Sequence, residues 1–323
     1  MTRPESKESA AAPPLDPRKF RDPERTVGGD PRAVVPLERL ETLWFNTGTL
    51  CNLACAHCYI ESSPRNDRLV YLTLDEVRGY LDEIEREGLG TEQIGFTGGE
   101  PFLNRDMLPM LALCLERGYR VLVLTNAMRP MQRRLAQLEE LIRRFGDRLA
   151  FRVSVDHHTA ALHEQERGPK SWEPTIAGLQ WLARVGARVS VAGRTYWDAE
   201  DEQRLRQGYA RLFEQLELGI DAFDPAELVL FPEMDERLDV PEISERCWAI
   251  LGKRPSDVMC ARSRMVVHRK GDPAPVVVSC TLLPYDRRFE MGRTLREASA
   301  PVVLNHPHCA RFCVLGGASC SPE

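Results

Sequence analysis

Three cysteines in one short stretch, Cys51, Cys55 and Cys58, are the residues of this chain best suited to bind a metal group. Their spacing is C-x3-C-x2-C, which places three thiolates in a single loop. Close triplets of this kind are typical of iron–sulfur ligation, in which three thiolates hold three irons of a 4Fe–4S cluster and the fourth iron stays open. A structural zinc site is the alternative, but such sites usually use two cysteine pairs, and the next cysteine here is Cys114.

A second motif, Gly98-Gly99-Glu100-Pro101, follows a predicted strand. Glycines at the end of a strand let the backbone approach a ligand closely. The active sites of parallel barrels lie at these carboxyl ends of the strands. Together with the cysteine triplet, and with Tyr59 directly after its third cysteine, this motif resembles the signature of the radical S-adenosylmethionine (radical SAM) enzymes.

The resemblance implies an activity and a first set of cofactor contacts. In radical SAM enzymes the open iron binds the amino and carboxylate groups of S-adenosylmethionine, and an electron from the cluster cleaves the sulfonium to a 5′-deoxyadenosyl radical. The resemblance further implies that His57 and Tyr59 touch the cofactor. It also implies that Gly98, Gly99, Glu100 and Pro101 bind it, with Glu100 holding the methionyl amino group.

Polar residues after the later predicted strands are further candidates for cofactor binding. The resemblance implies contacts with the ribose hydroxyls or the methionyl carboxylate for Asn126, Ser154, Asp156 and Arg194. Asp156 could instead cap the following helix, and Arg194 could form a salt bridge at the rim. Arg167, before Gly168, is either one more partner of the carboxylate or a solvated residue at a helix end.

Strand and helix patterns alternate six times along residues 37–232, at a spacing of roughly 30 residues. The predicted strands are residues 42–45, 93–97, 119–125, 149–155, 187–192 and 228–231. This alternation predicts an α/β fold with a parallel sheet, and the resemblance implies a partial (β/α)6 barrel. Residues 1–36 contain seven of the 23 prolines, which predicts a disordered N-terminal arm. Residues 233–323 are expected to form a small, irregular, cysteine-rich domain.

Cysteines of the tail form a second candidate metal site. Cys260 and Cys280 flank a predicted β-hairpin, and Cys309, Cys313 and Cys320 follow near the end of the sequence. This arrangement resembles the twitch extension, a shortened SPASM domain, and implies one auxiliary 4Fe–4S cluster. The expected ligands are Cys260, Cys280, Cys309 and Cys313, with Cys320 as a substitute, and a zinc site built from the same thiols remains the alternative.

One cysteine is left over by these assignments. Cys247 could donate a hydrogen atom to a substrate radical, or it could be a small buried apolar residue.

Composition restricts the class of protein and of partner. The chain has 323 residues and a net charge of −5, so nothing indicates a nucleic-acid partner. It has no run of eighteen apolar residues and no signal-peptide core, so no membrane partner and a cytoplasmic location are expected. In a reducing compartment the ten cysteines are better explained by metal binding than by disulfides.

The sequence therefore predicts a radical SAM enzyme of oxidoreductase type. The expected substrate is a small metabolite or natural-product intermediate that undergoes oxidation, epimerisation or rearrangement after hydrogen-atom abstraction. The alternative is a maturase that modifies a residue of a ribosomally made precursor peptide. A non-catalytic iron–sulfur or zinc protein is a more distant alternative. The expected protein partner is an electron donor such as flavodoxin or ferredoxin.

Overall fold

Ten β-strands lie in the part of the chain that the computed structural model describes, residues 13–195, 197, 201–232 and 235–316. In chain order they are β1 (Val34–Val35), β2 (Thr42–Asn46), β3 (Gln93–Thr97), β4 (Arg120–Thr125), β5 (Leu149–Ser154), β6 (Arg188–Arg194), β7 (Leu228–Phe231), β8 (Ser263–Val267), β9 (Val276–Val278) and β10 (Val302–Val303).

Eight α-helices accompany these strands in the same residues. They are α1 (Leu74–Glu87), α2 (Met107–Glu116), α3 (Arg129–Gln132), α4 (Leu135–Phe145), α5 (Ala160–Arg167), α6 (Trp172–Arg184), α7 (Glu202–Gln215) and α8 (Arg246–Leu251). Among the described residues, no helix has the length and apolar content that spanning a bilayer requires.

Strands β2 to β7 are parallel, and each pairs with the next one along the chain. The full sheet has the order β7-β6-β5-β4-β3-β2-β8-β9. The side chains of the parallel strands are mostly buried, as all five are in β2. Helices α1 to α7, which lie in the crossovers between these strands, cover the sheet. The expected parallel α/β fold, a partial (β/α)6 barrel, is confirmed. The carboxyl ends of six strands consequently meet at one edge of the sheet.

Helix α1 shows why the crossovers begin and end where they do. The Thr73 side chain accepts a hydrogen bond from the Glu76 amide, and the Glu76 carboxylate accepts one from the Thr73 amide, which completes a capping box. The helix ends at Gly88, whose φ of 62° is the left-handed conformation that glycine adopts without strain.

The sequence pattern after β3 predicts a helix that is capped by Asn104 and runs through Arg117, but the helix starts later. Asn104 was expected to cap it, but the Asn104 side chain is buried and donates to the carbonyl of Leu72 at 2.8 Å. A short 3-10 turn, Pro101–Leu103, comes first, and α2 begins at Met107. Helix α5 lies between Asp156 and Gly168, and it proves important for the site.

The C-terminal hairpin extends the sheet of the barrel. Strands β8 and β9 pair antiparallel, as expected for the segment between Cys260 and Cys280. However, β8 also pairs in parallel with β2, with Thr42 opposite Ser263. The hairpin therefore covers the free edge of β2 and continues the sheet, and the domain boundary at residue 233 stays a prediction.

The expected disordered arm is wrong for residues 13–36, and residues 1–12 lie outside the described residues. β1 pairs antiparallel with β10. Arg32 forms an ion pair of 2.7 Å with Glu242, and their side chains are 1% and 4% exposed. Composition misled the prediction because three apolar residues of this segment, Phe20, Ala33 and Val35, are buried against the C-terminal part of the chain.

Candidate cofactor and cluster sites

The cysteine triplet lies in a loop that follows β2. The Cys51 amide donates to the carbonyl of Ser63 at 3.1 Å, which closes the loop. Within it, the Leu53 amide donates to Cys51 Sγ at 3.4 Å and the Ser62 amide donates to Cys58 Sγ at 3.3 Å. All three cysteines line the same cavity at the carboxyl edge of the sheet.

The Gly98-Gly99 pair holds the start of this loop. The Gly99 amide donates to the carbonyl of Gly48 at 2.8 Å, and the Glu100 amide donates to that of Leu50 at 3.1 Å. A Cβ atom on Gly99 would lie 2.2 Å from the carbonyl oxygen of Leu50. Gly98 has a φ of 148°. The two glycines therefore allow the end of β3 to pack directly against the backbone that leads into the cysteines.

Replacing Gly99 by alanine is expected to displace the cysteine loop. The added Cβ collides with backbone, which cannot move aside cheaply, so we expect about 3 kcal/mol of lost stability and a lower iron content. Thermal unfolding and iron analysis after anaerobic reconstitution measure both effects. Gly79→Ala is the control, because Gly79 lies in α1 with no atom near its Cβ position. Wild-type unfolding and iron loading in Gly99→Ala would contradict the packing argument.

Seven of the predicted cofactor contacts line the cavity next to the triplet. They are Tyr59, Gly98, Gly99, Asn126, Ser154, Asp156 and Arg194. They come from the ends of five strands, whose parallel pairing puts them at one edge. His57, Glu100 and Pro101 are not among the lining residues, and their cofactor contacts stay a prediction.

Glu100 lies behind the cavity wall instead of in it. Its side chain is 1% exposed and accepts hydrogen bonds from Thr125 Oγ1 at 2.9 Å and from the Asn126 amide at 2.9 Å. Burial raises the pKa of the Glu100 carboxyl to about 7, against the lowering effect of these donors. Glu100 thus connects the end of β3 to the end of β4. Pro101 begins the adjacent 3-10 turn and is buried.

His57 is held by a residue that the sequence analysis missed, Glu166 of α5. One carboxylate oxygen of Glu166 accepts from the His57 amide at 2.9 Å, and the other lies 2.7 Å from His57 Nδ1. The Glu166 carbonyl also accepts from the Ala56 amide at 2.8 Å. The imidazole is half exposed and lines an open cleft beside the cavity. His57 therefore positions the cysteine loop.

Two arginines share the carboxylate of Asp156 on the cavity wall. Arg167 Nε donates to it at 2.6 Å and Arg194 Nε at 3.4 Å, and all three side chains are at least nine-tenths buried. Burial acts to raise the pKa of Asp156, but the two guanidinium groups outweigh it and hold that pKa below its usual value. At neutral pH this wall carries two cations and one anion, so it favours an anionic group such as a carboxylate.

Arg152 also lines the cavity and was not predicted. It lies on β5, is 1% exposed, and donates from Nε to Ser190 Oγ at 3.2 Å. The sequence could have indicated this position, because side chains alternate between the two faces of a strand and Arg152 is two residues before Ser154. Both residues therefore belong to the same face of the strand.

The four predicted tail ligands surround a second cavity. Cys260 and Cys280 lie just outside the two ends of the hairpin, and Cys309 and Cys313 lie on a π-helical segment, Cys309–Leu315. Burial raises the pKa of Cys260 to about 12, and the neighbouring Cys280 adds to the shift. Cys320 lies outside the described residues. Cys247 lines neither cavity, and its Sγ accepts from the Ser244 amide at 3.4 Å.

The donor sets of both cavities fit iron–sulfur clusters. The first offers three thiols and a polar wall, which suits a cluster with one open iron, and the second offers four thiols. Burial raises the pKa of Cys51 to about 12 and also raises that of Cys55. These thiols are therefore protonated without metal, and ligation has to displace their protons.

Comparisons with known proteins agree with this chemistry. The model of the Radical SAM superfamily matches residues 45–209, which is half of the chain. The subtilosin biosynthesis protein AlbA of Bacillus subtilis is 30% identical over 50% of this chain and 36% of its own length. GTP 3′,8-cyclase of Pasteurella multocida is 27% identical over 57% of this chain and 54% of its own. The chain thus spans between about a third and just over half of these relatives.

Solved structures with the same fold are more distant in sequence. SuiB of Streptococcus suis bound to S-adenosylmethionine aligns with a TM-score of 0.56 at 11% identity, over 79% of this chain and 63% of its own. The structure of anSMEcpe with bound AdoMet aligns with a TM-score of 0.57 at 12% identity, over 80% and 79%. Given the match to half of its length, this chain belongs to the radical SAM superfamily, whose enzymes use S-adenosylmethionine and a 4Fe–4S cluster.

Proposed function

We propose that Cys51, Cys55 and Cys58 hold the catalytic 4Fe–4S cluster and that S-adenosylmethionine binds in the cavity beside them. The observation that carries this proposal is the shared cavity, which joins the three thiols to Asn126, Asp156 and other strand-end residues. When bound, the two groups supply a 5′-deoxyadenosyl radical that takes a hydrogen atom from the substrate. An external one-electron donor such as flavodoxin or ferredoxin is part of this proposal.

The protein's own contribution is positioning and exclusion of water. The amides of Leu53 and Ser62 donate to two of the ligating sulfurs and orient them. Asp156 orients the guanidinium groups of Arg167 and Arg194 on the wall where a carboxylate would bind. Apolar side chains on the same wall, Leu124, Phe231, Leu282 and Phe312, help to keep water away from a reactive intermediate.

We infer further that Cys260, Cys280, Cys309 and Cys313 hold one auxiliary 4Fe–4S cluster, in a twitch-like C-terminal region. The four thiols surround one cavity, and the hairpin and the π-helical segment bring them there from distant parts of the sequence. Leu282 lines both this cavity and the cofactor cavity. A cluster in this position is suited to take up an electron from the substrate radical.

For the substrate we favour a peptide over a free small metabolite. An open cleft, lined by residues 56–59, 61, 68, 235–237, 282–286, 288, 306 and 308, shares Cys58, Tyr59 and Leu282 with the cofactor cavity. An extended chain can lie in such a cleft and present one residue to the cavity. By their names, the relative AlbA is a bacteriocin biosynthesis protein and the relative MftC is a mycofactocin maturase. SuiB shares the fold and was solved with its precursor peptide.

A small metabolite is the second candidate. The relative GTP 3′,8-cyclase matches the larger part of this chain and, by its name, acts on a nucleotide. Arg152, Arg167 and Arg194 on the cavity wall would suit an anionic metabolite as well as the cofactor. Oxidation, epimerisation and rearrangement all remain open as the net reaction in this case.

Iron analysis and 5′-deoxyadenosine formation test the proposal together. Anaerobically reconstituted protein is expected to hold about eight irons per chain, two clusters of four. With S-adenosylmethionine and dithionite it should form 5′-deoxyadenosine. A Cys309→Ala variant should lose about four irons and still form 5′-deoxyadenosine, whereas the control Cys247→Ala should keep all of them. Absence of 5′-deoxyadenosine from fully loaded protein, with no binding of S-adenosylmethionine, would refute the proposed function.

A further inference from the structure

A buried histidine borders the four-thiol cavity. His308 directly precedes Cys309, and its side chain lines the cavity together with the four cysteines. The residue is 6% exposed. Its Nδ1 is buried and has no hydrogen-bond partner among the described residues. An unpaired buried nitrogen costs about 1 to 3 kcal/mol, so its retention at this position calls for a partner that binds there.

His308 lies between the thiol cavity and the open cleft. His308 also borders the open cleft, but its Nδ1 is sealed from solvent, so water in the cleft cannot reach that atom. The backbone of His308 is itself fixed, because its amide donates to His306 Nδ1 at 3.1 Å. His306 is engaged on its other side as well, since its Nε2 lies 3.3 Å from Glu236 Oε2. The thiol cavity can supply a partner for this buried nitrogen, and on the other side of the residue Glu236 and His306 lie close enough to share a metal ion with His308.

We propose that His308 donates an Nδ1–H hydrogen bond to a sulfur of the auxiliary cluster and thereby makes that cluster easier to reduce. Thiolate-bound clusters carry negative charge that grows on reduction, and hydrogen bonds to their sulfurs stabilise the reduced form. His308 then acts on the reduction potential of the auxiliary cluster without being one of its ligands. It equips the cluster to accept the electron that substrate oxidation releases. This inference rests on the proposed auxiliary cluster.

Two substitutions separate the hydrogen bond from the shape of the side chain. His308→Phe keeps a ring of similar size and removes the donor. His308→Asn returns an N–H close to the position of Nδ1. His306→Asn is the matched control, because its side-chain oxygen can still accept from the His308 amide. Because His306 and His308 also border the proposed substrate cleft, the comparison uses iron content and cluster potential, both measured without substrate.

The measurement is an anaerobic redox titration of the holoenzyme monitored by electron paramagnetic resonance. The auxiliary cluster is identified as the signal that does not change on addition of S-adenosylmethionine. In His308→Phe its reduction equilibrium constant is expected to fall roughly tenfold, which is about 59 mV toward lower potential for one electron. His308→Asn should recover most of the shift, and His306→Asn should match wild type.

The possible outcomes distinguish this inference from the proposed function. An unchanged potential in His308→Phe with both clusters present overturns the inference, and so does an equal shift in His308→Asn. Loss of about four irons from His308→Phe also overturns it, because His308 would then be a ligand. Wild-type protein with only four irons and active 5′-deoxyadenosine formation would instead remove the auxiliary cluster itself.

Discussion

Simultaneous replacement of Cys51, Cys55 and Cys58 by alanine is expected to abolish 5′-deoxyadenosine formation, by a factor of at least ~1,000. The three thiols are the only cysteines that line the cofactor cavity among the described residues. Without them, no protein group there can hold an iron cluster. Anaerobic product analysis with S-adenosylmethionine and dithionite measures the loss.

The same variant is expected to keep about half of its iron, because the four tail thiols are untouched. The fold should also persist, since the loop is closed by backbone hydrogen bonds that alanine retains, such as that from the residue-51 amide to Ser63. The Cys247→Ala protein is the control for handling and reconstitution. Full iron retention in the triple variant would show that the triplet is not a cluster site.

Asp156→Asn is expected to destabilise the protein by about 3 kcal/mol, since breaking a buried ion pair leaves a charge without compensation. Here two guanidinium groups, 10% and 9% exposed, depend on one carboxylate. The neighbouring cations hold the pKa of Asp156 low, so its contribution is present at neutral pH and is lost as the pH falls through that pKa. Thermal unfolding of the variant should show a loss of roughly 6 to 12 °C at pH 7.

Binding of S-adenosylmethionine should weaken at least tenfold in the same variant, because Arg167 and Arg194 lose the group that orients them. Equilibrium binding measures this effect separately from stability. Glu140→Gln is the matched control, since it removes an equally close ion pair with Arg143 that is exposed on both sides. It should change stability by less than about 1 kcal/mol. Equal effects of the two substitutions would contradict the buried-charge argument.

The local chemistry of the chain could be predicted from its sequence because it depends on short-range spacing. The cysteine triplet and the Gly98-Gly99 pair are each contained in one loop, so their residue types and spacing indicate their role. Strand-end positions such as Ser154 and Asp156 were found in the same way, since a buried strand is visible as an apolar run and the polar residue after it lies at the carboxyl edge.

The protein partners of Glu100 and His57 could not be predicted from the sequence, and the reason is the same for both. Their residue types suit ligand binding, but other parts of the protein take up their polar atoms. Glu100 accepts from Thr125 and the Asn126 amide, and His57 is held by Glu166. The sequence around Glu100 or His57 does not indicate these hydrogen-bond partners, because the partners lie on other crossovers of the fold.

The sequence by itself determined the superfamily, the parallel α/β fold and the two groups of thiols, because these follow from periodicity and from motifs within single loops. Only the tertiary structure decided that the hairpin continues the sheet beside β2, that residues 13–36 pack against the tail, and that His308 faces the four thiols. Each of these depends on contacts between segments far apart in the chain. Such contacts are selected by the burial of edges and apolar faces in the complete fold, which no local pattern records.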